Sequence, residues 1–214
     1  MHRGKGALAL KHRMILLVTT ALLSMSTPSW AGSYANITVL GADSGSVVDA
    51  IKDMGLVAVV VSGKADAAVV CEKTMDSQDD VYGRNLARKL SKSLECVAVY
   101  MLNIDGAELL ITMYAYGDKV LDYDSSPGHF KGLDRPPSIE GLENIENTFP
   151  NADTAKLRAA LEAKHVPVDD RHVEIWNLLS LPYNAPGLGY HFLMDKKSRS
   201  QLEQQFAFQF TEVD

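Results

Sequence analysis

Asp122, Asp124 and His129 fall close together in the stretch Met113–Phe130, MYAYGDKVLDYDSSPGHF, which also holds Tyr114, Tyr116 and Tyr123. Two carboxylates and an imidazole are the groups that acid–base chemistry or a metal site requires. With His191 added from later in the chain, they would make a hydrolase site gathered across the intervening loop. Against that, the two aspartates have the spacing of a strand, and no second histidine stands at a ligand interval nearby. Asp124-Ser-Ser-Pro-Gly128 is also an ordinary turn-forming string. The tyrosines point to a different use, because Tyr is enriched where proteins contact partners.

Other chemistry-bearing residues have plainer explanations. His165 and His172 flank a short segment containing Asp169 and Asp170, and a loop with helix-capping acids accounts for all four. A closed metal site would need three or four ligands at disciplined spacing. Gly41-Ala-Asp-Ser-Gly45 is not a nucleophile elbow, since its first glycine lies three positions before the serine rather than two. No Walker A, dinucleotide fingerprint, H-E-x-x-H or C-x-x-C motif occurs, so no cofactor and no metal is implied. Cys71 lies in an apolar run, unlike a reactive thiolate.

The elements that must position these residues follow from periodicity. Asn36–Leu40 reads as a strand, and Asp43 or Ser44 can cap a helix carrying Val47, Val48, Ile51 and Met54, which Gly55 ends. Leu56–Val61 has the continuous apolar character of a strand buried on both faces, and Gly63-Lys64 turns it into Ala67–Cys71. Ser77–Asp80 can start a helix with Tyr82, Leu86, Leu90 and Leu94 on its inner stripe. Val97–Leu102, Glu108–Tyr116 and Lys119–Asp124 are then strands joined by turns at Asp105-Gly106 and Gly117-Asp118. The order β-α-β-β-α-β is the ferredoxin-like pattern, extended by two hairpin strands. Right-handed crossovers place both helices on one face and give strand order 2-3-1-4, with strands five and six beyond the fourth.

In that sheet Cys71 and Cys96 lie on strands two spacings apart and near opposite ends, too far for a disulfide. With Gly117-Asp118 as the turn, Tyr116 faces Lys119, Tyr114 faces Leu121 and Thr112 faces Tyr123. Tyr114, Tyr116 and Tyr123 then share one face, and Asp122 and Asp124 take the other. Residues 131–150 read as a long loop. Beyond it, helices are expected over Thr154–Lys164 and from Arg171 to about Leu181, capped by Asp153 and by Asp169 or Asp170, with Pro182 following. Strands are expected at Leu188–Met194 and Gln205–Val213.

Residues 1–31 have the three parts of a secretory signal: a basic start, the apolar run Met14–Met25, and Ser29-Trp-Ala31 before cleavage. The run is short for a membrane span, so none is expected after cleavage. That leaves one α+β domain over 32–214, comprising a sheet with two helices (32–130), the loop (131–150) and C-terminal helices and strands (151–214). Four of the 21 basic residues and none of the 27 acidic ones lie in the leader, so the remainder carries a net charge of about −10. That balance disfavours nucleic acid or an anionic membrane as partner. The expected destination is the periplasm or the medium.

The segments Asp76–Asp80, Leu90-Ser91, Leu94–Cys96, Asp105–Leu109, Tyr116-Gly117 and Asp122–Phe130, followed by Leu178–Pro182 and Gly187–Tyr190, come in an order that resembles a family of uncharacterised bacterial proteins over about residues 37–194. The resemblance implies an α+β fold and no catalytic residues. With no catalytic constellation in view, the expectation is a non-enzymatic binding module for a protein or small molecule, contacted through Tyr114, Tyr116, Tyr123 and His129. The alternative is the hydrolase site of Asp122, Asp124, His129 and His191.

Overall fold

A computed structural model describes residues 32–63, 66–164, 166–181, 187–206 and 208–214. Residues 1–31, read above as a signal, Lys64 of the predicted Gly63-Lys64 turn, His165 and Pro182 lie outside the described residues. Eight antiparallel strands form one sheet: β1 (Tyr34–Leu40), β2 (Ala58–Ser62), β3 (Ala67–Glu72), β4 (Val97–Ile104), β5 (Glu108–Ala115), β6 (Asp118–Asp124), β7 (Ser138–Glu140) and β8 (Gln209–Val213). Their spatial order is β7-β6-β5-β4-β1-β3-β2-β8. The described residues also include seven α-helices: α1 (Ser44–Asp53), α2 (Asp80–Ser93), α3 (Ile145–Thr148), α4 (Thr154–Glu162), α5 (Val168–Leu178), α6 (Tyr190–Met194) and α7 (Lys196–Phe206). None of them is long and apolar enough to cross a membrane.

Alternation along the strands sorts the side chains into two cores. Ala35, Ile37 and Val39 of β1 join Val60, Val70, Ala98, Tyr100 and Leu110 under α1 and α2. On the other face, Val59, Val69, Val99, Ile111, Met113 and Tyr123 meet Leu157 and Leu161 of α4 and Ile175 and Trp176 of α5. Asp43 caps α1 by accepting from Ser46 N at 3.0 Å, and Asp79 caps α2 by accepting from Tyr82 N at 3.0 Å. The buried stripe of α2 is Gly83, Leu86, Ala87 and Leu90, with Tyr82 and Leu94 at its margins. Cys71 and Cys96 are free, buried and in different cores.

Several local expectations fail for identifiable reasons. Residues 188–194 contain helix α6, not a strand. Asp76 accepts from the backbone N–H groups of Tyr190 (3.2 Å) and His191 (2.7 Å), and so caps the helix from a distant part of the chain. The predicted tail strand keeps only Gln209–Val213, because Asp195 starts α7 by accepting from Ser198 N at 2.9 Å. Over Lys196–Gln204, where burial is described, only Leu202 of α7 is buried, and that polar run carries little helical signal. The acids Asp169 and Asp170 sit in the first turn of α5, after Pro167, rather than capping it. The supposed loop 131–150 holds β7 and α3.

Strand β8 covers β2, pairing Ala58–Ser62 with Gln209–Val213. All five residues of β2 are buried, so without β8 this apolar strand would be an open edge. A chain ended after Phe206 is expected to self-associate, seen as an earlier and broader peak in size-exclusion chromatography. An unchanged monomeric profile would show that β8 does not protect the edge.

Candidate functional site

The hairpin between β5 and β6 decides where the predicted contact residues go. Its turn is Tyr116-Gly117, both with positive φ (54° and 91°), as a two-residue hairpin turn requires. Ala115 pairs with Asp118, and a bulge between Met113 and Tyr114 then shifts the register. Thr112 therefore faces Asp122, Ile111 faces Tyr123, and the tyrosines separate. Tyr114 is buried beneath α2, Tyr123 is buried on the opposite face, and Tyr116 projects from the turn, 68% exposed. No common tyrosine face exists. Tyr123 instead receives a hydrogen bond from Arg171 Nη1 (2.8 Å) and donates to the Leu161 carbonyl (3.0 Å).

The four residues of the hydrolase reading have separate surroundings. Asp122 lies on the α2 side, bonded to Arg84 and held by Lys119 Nζ at 3.0 Å and Thr112 Oγ1 at 3.1 Å. Burial would raise the Asp122 carboxyl, but Arg84 and Lys119 outweigh it and hold the group below the usual range. Asp124 accepts from Ser126 N at 2.9 Å. His129 stands exposed on a short 3-10 turn, edge-on to Phe130. His191 touches Asp76, just past β3, four strand spacings or roughly 19 Å from β6. Among the described residues, no group of three or more His, Cys, Asp and Glu side chains is arranged to hold a metal.

Beside Asp124, Glu108 is raised to about 7, first by burial and then by the Asp124 charge. The two carboxyls form a pair in which the Asp124 charge adds to burial in keeping the proton on Glu108. It lies on the same face as Asp122, so the sheet places all of these acids against α2.

A second polar group gathers where β1 begins, on the α5 face. Tyr34 Oη lies 2.8 Å from His172 Nδ1 and 3.3 Å from Asp169 Oδ1, and Asn103 Nδ2 donates to the same Asp169 oxygen at 3.1 Å. Burial drives His172 down to about 3, so its ring is neutral. With Asp169 ionised, the pattern that satisfies both contacts has Nδ1–H donating to Tyr34, whose hydroxyl donates to Asp169. His172 Nε2 is then an acceptor, buried near Trp176 with no partner among the described residues. With Tyr34, Asn103 and His172 buried and Asp169 partly exposed at its outer end, this chain ties α5 to β1. Its sequence signal was the polar alternation of Tyr34, Asn36 and Thr38 in a strand whose faces are both covered. Its partners were invisible because they lie more than a hundred residues away.

The thiols are closed: burial raises Cys71 well above the usual range and Cys96 to about 11. His191 is the contrary case, an exposed imidazole held by Asp76. Comparison of the chain with known proteins gives no match to a family model, to a curated protein or to a solved structure.

Proposed function

We propose that the chain is an exported, non-enzymatic binding module on a ferredoxin-like β-α-β-β-α-β core, contacting a protein partner through the ordered turn after β6. The observation that carries this reading is the exposure of Phe130 (58%) and Leu133 (42%) on a segment with a firmly bonded backbone. Gly128 O accepts from Lys131 N at 2.9 Å and Leu133 N at 3.1 Å, and His129 O accepts from Gly132 N at 2.9 Å. Gly128 and Gly132 supply the left-handed corners at φ 82° and 69°. Apolar groups presented on a preordered backbone lose little entropy on binding, which suits a contact surface. His129 stacks edge-on against Phe130 and belongs to the same surface. Export rests on the basic-apolar-small pattern of the first 31 residues, and the bacterial resemblance rests on the order of its short segments.

Two measurements test the reading. A photo-crosslinking residue at position 130 is expected to capture a discrete protein in the source organism's envelope, whereas one at Val81, more exposed still, captures none. The paired change Phe130→Ala and Leu133→Ala should leave the melting temperature nearly unchanged, since neither residue is buried. It should weaken the captured interaction by tenfold or more, as expected for anchor residues. Equal capture at both positions, or undiminished affinity in the paired variant, overturns the proposal.

A further inference from the structure

His191 is held differently from the other histidines the structure describes. The Asp76 carboxylate is anchored by the N–H groups of Tyr190 and His191, and also meets His191 Nδ1. An imidazole beside an ionised carboxylate carries its proton on that nitrogen, so the lone pair stands on Nε2. The His191 side chain is 79% exposed and that of Asp76 only 12%, so the fixed end is sheltered and the free nitrogen meets solvent. A carboxylate behind an imidazole is the arrangement that fixes histidines as metal ligands.

Met194 lies one turn further along α6 and is 43% exposed. Helical residues three apart have β-carbons about 5–6 Å from one another. A long side chain leans back toward the helix N-terminus, over its neighbour three positions earlier. The His191 nitrogen and the Met194 sulfur can therefore reach one point in solvent. Imidazole with thioether is a soft donor pair that suits Cu(I). Calcium and magnesium require several oxygens, and a structural zinc site closes with four ligands. Both Asp76 oxygens are already engaged, so no carboxylate is offered to the ion.

We propose that His191 and Met194 form a two-coordinate Cu(I) site, with Asp76 as the residue that positions the imidazole. The site is independent of the partner surface around Phe130. Anaerobic titration of the folded protein with Cu(I), in competition with a coloured Cu(I) chelator, should give one equivalent bound. Met194→Leu leaves the Asp76 cap intact and should lower the affinity at least tenfold, while His191→Gln should abolish binding at the same chelator concentration. Asp76→Asn should weaken it by about 10- to 100-fold, the usual range for a positioning partner. Ag(I), a redox-inert probe, should shift the Met194 methyl and His191 ring resonances together. Absence of binding overturns the proposal. So does affinity unchanged by Met194→Leu, or Ag(I) shifts confined to other methionines.

Discussion

Gly83→Ala is expected to lower the melting temperature by several degrees or to prevent folding, although alanine is the better helix former. Gly83 is the fourth residue of α2, inside the helix, where alanine would ordinarily gain up to about 1 kcal/mol. Here the added Cβ would stand 2.6 Å from Tyr100 Oη and closer still to the ring carbons Cζ and Cε2. Tyr100 is fully buried on β4, so its ring has no room to withdraw. Overpacking of this kind costs about 1–3 kcal/mol and sometimes more. The steric term wins unless α2 lifts off the sheet, which would uncover Leu86 and Leu90. A double-mutant cycle separates the causes. Tyr100→Leu removes the ring and should absorb most of the alanine penalty, giving a coupling of about 1–3 kcal/mol by thermal or chemical unfolding. Tyr100→Phe keeps the ring and should rescue little. A Gly83→Ala protein as stable as the parent would mean that α2 does not pack this closely.

What could be read in the sequence was what local rules control. Asp43 and Asp79 cap α1 and α2, Asp105-Gly106 turns β4 into β5, and handed crossovers place β1 between β3 and β4. The register of the last hairpin depended on one residue, Tyr116, taking a positive φ that side chains other than glycine seldom adopt. That choice moved the turn by one position, and the bulge then redistributed the tyrosines. Helices α6 and α7 escaped because neither carries a broad apolar stripe. One is started by an acid at position 76, and the other buries little beyond Leu202 among its described side chains. Likewise, Tyr34 and His172, or Asp76 and His191, carry no mark of their pairing, because each contact is a product of the assembled layers. The candidate site was thus legible as residue types but not as partnerships.

Those partnerships make the stability of the protein unusually informative about pH. His172 has its folded pKa depressed from 6.5 to about 3. Its contribution is present above pH 6.5 and is lost as pH falls toward 3, because the unfolded chain binds the proton that the buried ring refuses. Glu108 is the opposite case, raised from 4.5 to about 7. Its contribution is present below pH 4.5 and is lost as pH rises through 7, because the folded protein keeps the proton. Between pH 4.5 and 6.5 the two slopes oppose one another, each at most about 1.4 kcal/mol per pH unit. The carboxyls held low, such as Asp122 and the capping Asp43, titrate below this window and leave it undisturbed. The parent protein is therefore expected to show a nearly flat stability between pH 5 and 6.5. Glu108→Gln should unmask the histidine, so that stability climbs with pH and at pH 7.5 exceeds the parent's by roughly 1–2 kcal/mol after allowance for solvent screening. His172→Phe should unmask the carboxyl pair, so that stability declines over the same interval whatever its absolute cost. Urea unfolding at half-unit steps of pH reads both slopes. If Glu108→Gln leaves the profile flat, the Glu108 carboxyl is not raised in the folded protein. If His172→Phe leaves it flat, the imidazole is not held neutral beneath α5.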